Sequence, residues 1–449
     1  MKLVKLGSLV SAALVLAACS SDNSGPTPSG AGASAGAVNG SGTAGSNAAS
    51  GAGNVSGAPG AALGGTGGAS ATVTAGAAGT TDSAGSAGAA GAAPGSTAVL
   101  RAVGNHLEDN GKPVRLIGWN RPGGEYSCIN NKTPAAFDGP TDLASIQAMQ
   151  AWKGFNTLRL PLNETCWLGI NGVSPEASGD KYITAVANYV SLLRSTGIYV
   201  IVEMHWNAPG TFVANSQMPM ADADHALDFW TQVAAKFKGD LGVIYDLYNE
   251  PHLNSVPSGG FVAGGSGTDP WSCWLNGGCT ITPQTWEQQT SGYVVAGMQQ
   301  MLDAVRATGA TNLVLAGGLN WAGDLSGWAA HAPHDSGTNL AAAGHVYYKP
   351  EQCMGAACYS TLQAFNQATQ VPLITGEVGE FDCAHTFIDS FMSWADTSNV
   401  SYLAWSWSLE PCGSPGPGYS AGPSLITAWT GTPTAYGQGF KDHLATLTQ

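Results

Sequence analysis

Eight short apolar runs recur along the chain and alternate with longer segments of helical periodicity. No other feature limits the possible folds so strongly. The runs cover residues 114–120, 157–162, 199–206, 243–250, 312–317, 341–348, 371–377 and 401–407. Between them, residues 141–152 place Leu143, Ile146 and Met149 on one helical face, and residues 180–196 do the same with Ile183, Val186, Val190 and Leu193. Further helical patterns run over 224–237, 284–308 and 386–395. Strict strand–helix alternation calls for parallel strands joined by crossover helices, and eight such units favour a closed (β/α)8 barrel over an open doubly wound sheet.

The repeats occupy only residues 97–449, about 350 residues, which suits one α/β barrel with long loops. Residues 1–19 read as a lipoprotein signal: Lys2 and Lys5 precede a short apolar stretch that ends in Leu16-Ala17-Ala18-Cys19. The stretch is too short to span a bilayer. The expectation is export with a lipid on Cys19, and an ordinary cleaved secretion signal is the alternative. Residues 20–96 are almost wholly Gly, Ala, Ser, Thr and Asn, with two charges, Asp22 and Asp82, no aromatic residue and few branched aliphatics. Such a segment cannot bury enough surface to fold. As a flexible tether of about 75 residues it would span roughly 45–50 Å.

The formal charge of −14 therefore falls almost wholly on the barrel. Nucleic acid binding needs a basic face, so that partner is excluded, and an uncharged or basic substrate fits better. Contact with a membrane is expected only through the lipid anchor, and the folded part is expected to work as a monomer.

Apart from Cys19, eight cysteines remain, at 128, 166, 273, 279, 353, 358, 383 and 412. An even number in an exported chain, without zinc-type spacing, favours disulfides over metal thiolates. Spacing does not fix the connectivity. The expected pairs are Cys273 with Cys279, Cys353 with Cys358, Cys128 with Cys166, and Cys383 with Cys412. Placed on the barrel, these cysteines follow strand ends and would brace the face that carries the chemistry.

The strand ends hold polar and aromatic groups: Asn120, Arg159, His205 and Trp206, Asn249 and Glu250, His345 and Tyr347, Glu377, and Trp405 and Trp407. Two carboxylates at the ends of different strands suit hydrolysis of a glycosidic bond, in which one acid protonates the leaving oxygen and the other attacks carbon or activates water. A neighbouring arginine favours the ionised form of a carboxylate. Tryptophan rings offer flat apolar faces to sugars.

At this point the chain resembles a known family. "IYDLYNEP" (244–251) is similar to the Asn-Glu-Pro signature of glycoside hydrolase family five, the retaining cellulases and mannanases. "VPLITGEVG" (371–379) resembles the family's nucleophile strand, in which a proline stands five residues before the glutamate. That spacing selects Glu377 over Glu380, which is expected to be a rim carboxylate one turn into the loop. In chain order, "LIGWNRPGGEYSC", "NTLRLPLNETCW", "VIVEMHW", "GHVYY" and "YLAWSWS" resemble the segments of strands one, two, three, six and eight. Two positions depart from the pattern: Val378 stands where an aromatic residue is usual, and Glu203 where Asp is common.

The resemblance implies Glu250 as acid/base and Glu377 as nucleophile, supported by Arg159, His205, Asn249, His345, Tyr347 and Trp405, with Trp407 as the alternative sugar platform. It implies no cofactor and no metal. Asp222-Ala223-Asp224-His225 is expected to cap a helix rather than hold an ion. Trp167, Trp206, Trp271 and Trp274 either extend the cleft or pack beneath long loops. The implied substrate is a β-1,4-glucan cut internally, with xyloglucan, mixed-linkage glucan or mannan next, and a non-catalytic glycan-binding lipoprotein as the rival.

Overall fold

A computed structural model describes residues 97–130, 137–253, 269–281, 291–349, 353, 355–410 and 422–447. Cys19, the tether at 20–96 and Cys412 lie outside the described residues. Eight parallel strands close into a barrel: β1 (Ile117–Asn120), β2 (Thr157–Asn163), β3 (Tyr199–Trp206), β4 (Val243–Asp246), β5 (Val314–Gly317), β6 (Leu340–Tyr348), β7 (Leu373–Glu380) and β8 (Ser401–Ala404). β8 pairs with β1, and β4 with β5, so no edge is left open.

Alternate strand residues divide between two cores. Ile201, Ile244, Leu315, Ala341, Ala343, Ile374 and Leu403 fill the barrel, whereas Val200, Val202, Tyr245, Val314 and Tyr402 meet the helices outside. Helices α1 (Leu143–Gln150), α2 (Glu164–Leu168), α3 (Asp180–Ser195), α4 (Ala226–Phe237), α5 (Pro270–Asn276), α6 (Met298–Ala307), α7 (Ser360–Ala368), α8 (Thr386–Thr397) and α9 (Ala435–Thr446) surround it. In α4, Phe229, Trp230, Val233 and Phe237 recur at three- and four-residue spacing and are buried against the barrel wall. α1 begins where Asp142 accepts the backbone N–H of Ser145.

Several boundaries differ from the sequence reading. Val114 belongs to an antiparallel sheet, Leu100–Val103, His106–Asp109 and Lys112–Val114, whose Leu100 and Leu107 join the core inside the barrel. β1 therefore starts only at Ile117. The helix expected from residue 284 begins at Met298: residues 282–290 lie outside the described set, and Tyr293–Val294 pairs with Thr280–Ile281 instead. β4 and β8 end earlier than the apolar runs, at Asp246 and Ala404.

Three of the expected disulfides are present: Cys128–Cys166, Cys273–Cys279 and Cys353–Cys358. Cys383 is also disulfide-bonded. The first bridge ties the loop after β1 to α2 and closes 38 residues, for which the chain-entropy relation gives about 4 kcal/mol. A Cys128→Ser/Cys166→Ser double variant is expected to lose most of that in urea unfolding. An unchanged midpoint would mean that the loop is held by packing alone.

Candidate active site

The cleft forms where the barrel strands end, around one buried cation. Arg159 on β2 is fully enclosed. Its Nε donates to Asp246 Oδ2 at 3.0 Å, and its Nη2 donates to Asn249 Oδ1 at 2.9 Å. Its Nη1 donates to Asn120 Oδ1 at 2.9 Å and to Glu377 Oε1 at 2.8 Å, with Glu203 Oε1 3.4 Å away. Burial alone would depress its guanidinium, but Glu203, Asp246 and Glu377 more than offset that and hold it protonated. One arginine thus positions groups from strand ends β1, β3, β4 and β7.

Glu377 reaches this network through an irregularity. The β6–β7 and β7–β8 registers shift beside it, so Ile374 and Glu377, three apart, both face inward. Such a bulge re-aims a side chain next to a functional site. Tyr347 on β6 donates its hydroxyl to Glu377 Oε2 at 2.6 Å. Val378, the next residue, packs in the outer core instead. Gly376 keeps the site open, since a Cβ there would lie 3.0 Å from His345 Nε2.

Glu250 follows β4 and comes close to Glu377. One oxygen of each carboxyl and one nitrogen of His345 all lie within 4.8 Å of one another. His345 Nδ1 stands 2.9 Å from Glu250 Oε1 and 3.6 Å from Glu377 Oε2. Burial lowers the His345 pKa to about 4, with Glu377 opposing and Arg159 adding to the fall, so the ring between the carboxyls is neutral at working pH. Burial pushes the Glu250 carboxyl up from its ordinary value, against the Gln217 hydrogen bond and the nearby His205. The remaining Glu250 oxygen, Oε2, accepts from Gln217 Nε2 at 3.1 Å.

His205 on β3 stands 2.6 Å from Glu203 Oε1. Burial would depress this imidazole, yet Glu203 with Glu125 and Glu377 raises it to about 9. Trp405 lies half-buried with its ring nearly parallel to His205, centroids 5.8 Å apart, at the non-proline cis bond to Ser406. Asn249 has its Oδ1 held by Arg159, which leaves its Nδ2 donors for a ligand.

Every site residue expected from the sequence therefore meets at one end of the barrel except Trp407. Trp407 is buried between Trp119 and Trp152, centroids 5.0 and 5.1 Å away, and belongs to the core. Glu380 is corrected as well. It lies within β7, faces outward, and its buried Oε2 accepts the backbone N–H groups of Phe387 and Ile388 at the start of α8. Trp167 packs among Tyr182, Phe229 and Phe237, and buried Trp274 donates to Gly317 O, so neither lines the cleft. Trp206 is half-buried beside His205, while Trp271 packs on Trp274 and His331.

The expected cap does not form: the N-cap of α4 is His225, which makes no side-chain cap hydrogen bond, and Asp222 Oδ1 accepts the N–H groups of Asp224 and His225 within the turn ahead of the helix. His225 Nδ1 lies 2.8 Å from Ala208 O and Asp222 Oδ2 accepts from Asn207. Buried Glu164 sits against Asp222, and burial with that neighbour holds its carboxyl well above the usual range.

Gln217 and Lys349 were missed because each lies on a loop with no motif of its own, and Glu125, although it stands inside the quoted segment LIGWNRPGGEYSC, was given no role there. Glu125 is buried after β1, its Oε2 taking the Gly123 N–H at 2.8 Å, and burial pushes it from 4.5 up to about 8 with His205 opposing. The native state keeps this proton up to about pH 8, whereas the unfolded chain releases it near 4.5, so its contribution to stability is lost as pH rises between those values. His205, raised from 6.5 to about 9, acts in the same direction. Urea unfolding at pH 5 and pH 9 is expected to show a smaller loss for Glu125→Gln than for the wild type. An equal loss would remove Glu125 from that account.

Residues 107–410 match the family model described as Cellulase (glycosyl hydrolase family 5), and the chain belongs to that family. Among curated relatives, it is 27% identical to Endoglucanase C of Evansella cellulosilytica over 51% of this chain and 24% of that protein. It is 24% identical to Endoglucanase 1 of a Robillarda species over 35% of this chain and 34% of that protein. The aligned stretches thus span about a quarter to a third of those relatives. Solved structures that share the fold include the following two. A β-glucanase from Saccharophagus degradans has a TM-score of 0.53 at 20% identity, covering 78% of this chain and 94% of that one. A β-mannanase from Streptomyces thermolilacinus, solved with mannohexaose, has a TM-score of 0.52 at 20% identity, covering 79% and 97%.

Proposed function

We propose that the chain is a retaining endo-β-1,4-glucanase in which Glu377 is the nucleophile and Glu250 the acid/base. The observation that carries this reading is the approach of the two carboxyls to within 4.8 Å. Retaining enzymes hold such groups roughly 5–5.5 Å apart, whereas inverting ones need about 6.5–9.5 Å to admit a water. The two partner sets divide the roles. Glu377 receives Arg159 on one oxygen and the Tyr347 hydroxyl on the other, which fixes its carboxyl for attack on carbon. Glu250 is raised by burial, which suits an acid that must hold its proton.

In the first step Glu377 attacks the anomeric carbon while Glu250 protonates the departing glycosidic oxygen. In the second, Glu250 takes a proton from water, which releases the glycosyl enzyme and restores both carboxyls. Asn249, with its oxygen fixed by Arg159, offers Nδ2 to the sugar 2-hydroxyl. Trp405 supplies a ring face for the sugar at the cleavage point, and His205 donates beside it.

The two endoglucanase relatives make β-1,4-glucan the first substrate, and the β-mannanase neighbour makes mannan the second. Reducing-sugar release from carboxymethylcellulose, mixed-linkage glucan, xyloglucan and mannan decides between them. Highest kcat/KM on carboxymethylcellulose supports the reading, and preference for mannan replaces its substrate.

We also propose that Cys19 carries the lipid and that the barrel faces an oxidising compartment, in keeping with its disulfides. Cys19→Ala should move activity from the membrane fraction to the soluble fraction. Activity that stays with the membrane would contradict the anchor.

A further inference from the structure

The loop that joins β3 to α4 runs from Asn207 to His225 and reaches across to the end of β4. Its root is closed by buried polar contacts: Asn207 Nδ2 donates to Asp222 Oδ2 at 2.8 Å, and the Ala208 N–H donates to Glu164 Oε2 at 2.5 Å. Its middle is pinned at successive points. Ala214 O accepts from Asn163 Nδ2 at 2.7 Å, Met218 O accepts the Tyr248 hydroxyl at 2.6 Å, and Pro219 O accepts the His252 N–H at 2.9 Å. Between these anchors, half-buried Gln217 turns its amide onto Glu250, with Nε2 3.1 Å from Oε2 and 3.4 Å from the Glu250 carbonyl oxygen.

A carboxyl at a strand end can rotate about its terminal torsion, which has only broad minima. His345 restrains Oε1 alone. We propose that Gln217 is a positioning residue for the acid/base reaction, holding Oε2 so that the carboxyl plane of Glu250 is set jointly by β6 and the loop after β3. This rests on the reading of Glu250 as acid/base. The loop thereby takes part in proton delivery without itself exchanging a proton.

The same contact bears on pH. An amide N–H favours the ionised carboxyl, so its removal makes Glu250 harder to deprotonate. The other polar groups around Glu250 are His345, Tyr347 and Lys349 along β6 and just beyond it, Glu377 on β7, His205 on β3, and His252 on its own segment. All remain when Gln217 is changed.

The test uses the full-length chain and its Gln217→Ala and Gln217→Asn variants, with thermal unfolding as a check that each is folded. kcat/KM is measured against pH on two aryl cellobiosides, one with a poor leaving group and one with a dinitrophenyl group that departs without protonation. With the poor leaving group, Gln217→Ala is expected to lower kcat/KM about ten- to a hundredfold. It is also expected to move the alkaline limb of the profile upward by about half to one pH unit. With the dinitrophenyl substrate the first step is nearly unaffected. Gln217→Asn, should Gln217→Ala not fold, carries the same expectation, because its shorter amide does not reach Oε2.

An alkaline limb that stays in place or moves down, or equal losses on both substrates, overturns the proposal. Glu250→Ala on the same two substrates separates the two ideas. If Glu250→Ala spares the dinitrophenyl substrate while Gln217→Ala leaves the limb unmoved, only the role of Gln217 fails. If Glu250→Ala hits both substrates alike, the acid/base assignment fails with it.

Discussion

Glu377→Ala is expected to abolish turnover, with a fall in kcat on the order of 10⁵–10⁶, the scale reached when a covalent nucleophile is removed. Glu250→Ala should cost about 10²–10⁴ on substrates with poor leaving groups, the range for one acid/base group. The two variants should also differ in rescue by azide. In Glu250→Ala, azide attacks the glycosyl enzyme and gives the β-glycosyl azide. In Glu377→Ala, azide takes the place of the missing carboxylate and gives the α anomer. The asymmetry comes from which face of the sugar each carboxyl meets, so NMR of the azide products reads the assignment directly. A β azide from the Glu377 variant would reverse the two roles.

The second large effect falls on stability. Arg159 is buried, and three carboxyls, Glu203, Asp246 and Glu377, lie within 3.4 Å of its nitrogens. Taking away one partner of a buried ion pair leaves an uncompensated charge, which costs roughly 3–5 kcal/mol. Arg159→Met should lose about that much in urea unfolding at neutral pH and less under acid conditions, where Asp246 takes up its proton. Burial already pushes Asp246 up to about 7 with the arginine in place, so the acid relief should begin near neutrality. Arg159→Lys keeps the charge but cannot reach Asn120, Asp246, Asn249 and Glu377 together, so it should fall between. A midpoint for Arg159→Met within a few tenths of a molar of the wild type would show that the carboxyls do not need the arginine to fold.

The barrel was legible because its strands are buried on both faces and read as apolar runs, which loops and surface helices do not imitate. Paired inward residues were legible for the same reason: His345 and Tyr347, two apart, face the same way on β6. Irregular backbone was not legible. The register shift between Thr375 and Val378 turns Glu377 inward and sends Glu380 out to α8, whereas a regular strand carries no such break. Trp405 and Trp407 share a parity only if the strand continues. β8 ends at Ala404, and the two rings part, one to the cleft and one to the core.

Loop residues were the least accessible. Gln217 meets Glu250 only because the loop after β3 is tied down by Glu164, Tyr248 and His252, which come from two other strand ends. Trp167 and Trp274 were undecided because an aromatic residue after a strand can serve either a cleft or the packing beneath it, and burial distinguishes them only in three dimensions. The antiparallel sheet ahead of β1 did leave a signal, Asn110-Gly111 between two short alternating runs, the residue pair favoured in tight hairpins.

The central claim is that Glu377 forms a bond to the substrate. Incubation with a 2-deoxy-2-fluoro cellobioside bearing a good leaving group tests it, because the fluorine slows release of the glycosyl enzyme and lets it accumulate. Intact and peptide mass spectrometry should find one cellobiosyl unit per chain, attached to Glu377. A label on Glu380 or Glu250, or no label together with no hydrolysis of any β-glucan or mannan, would contradict the account.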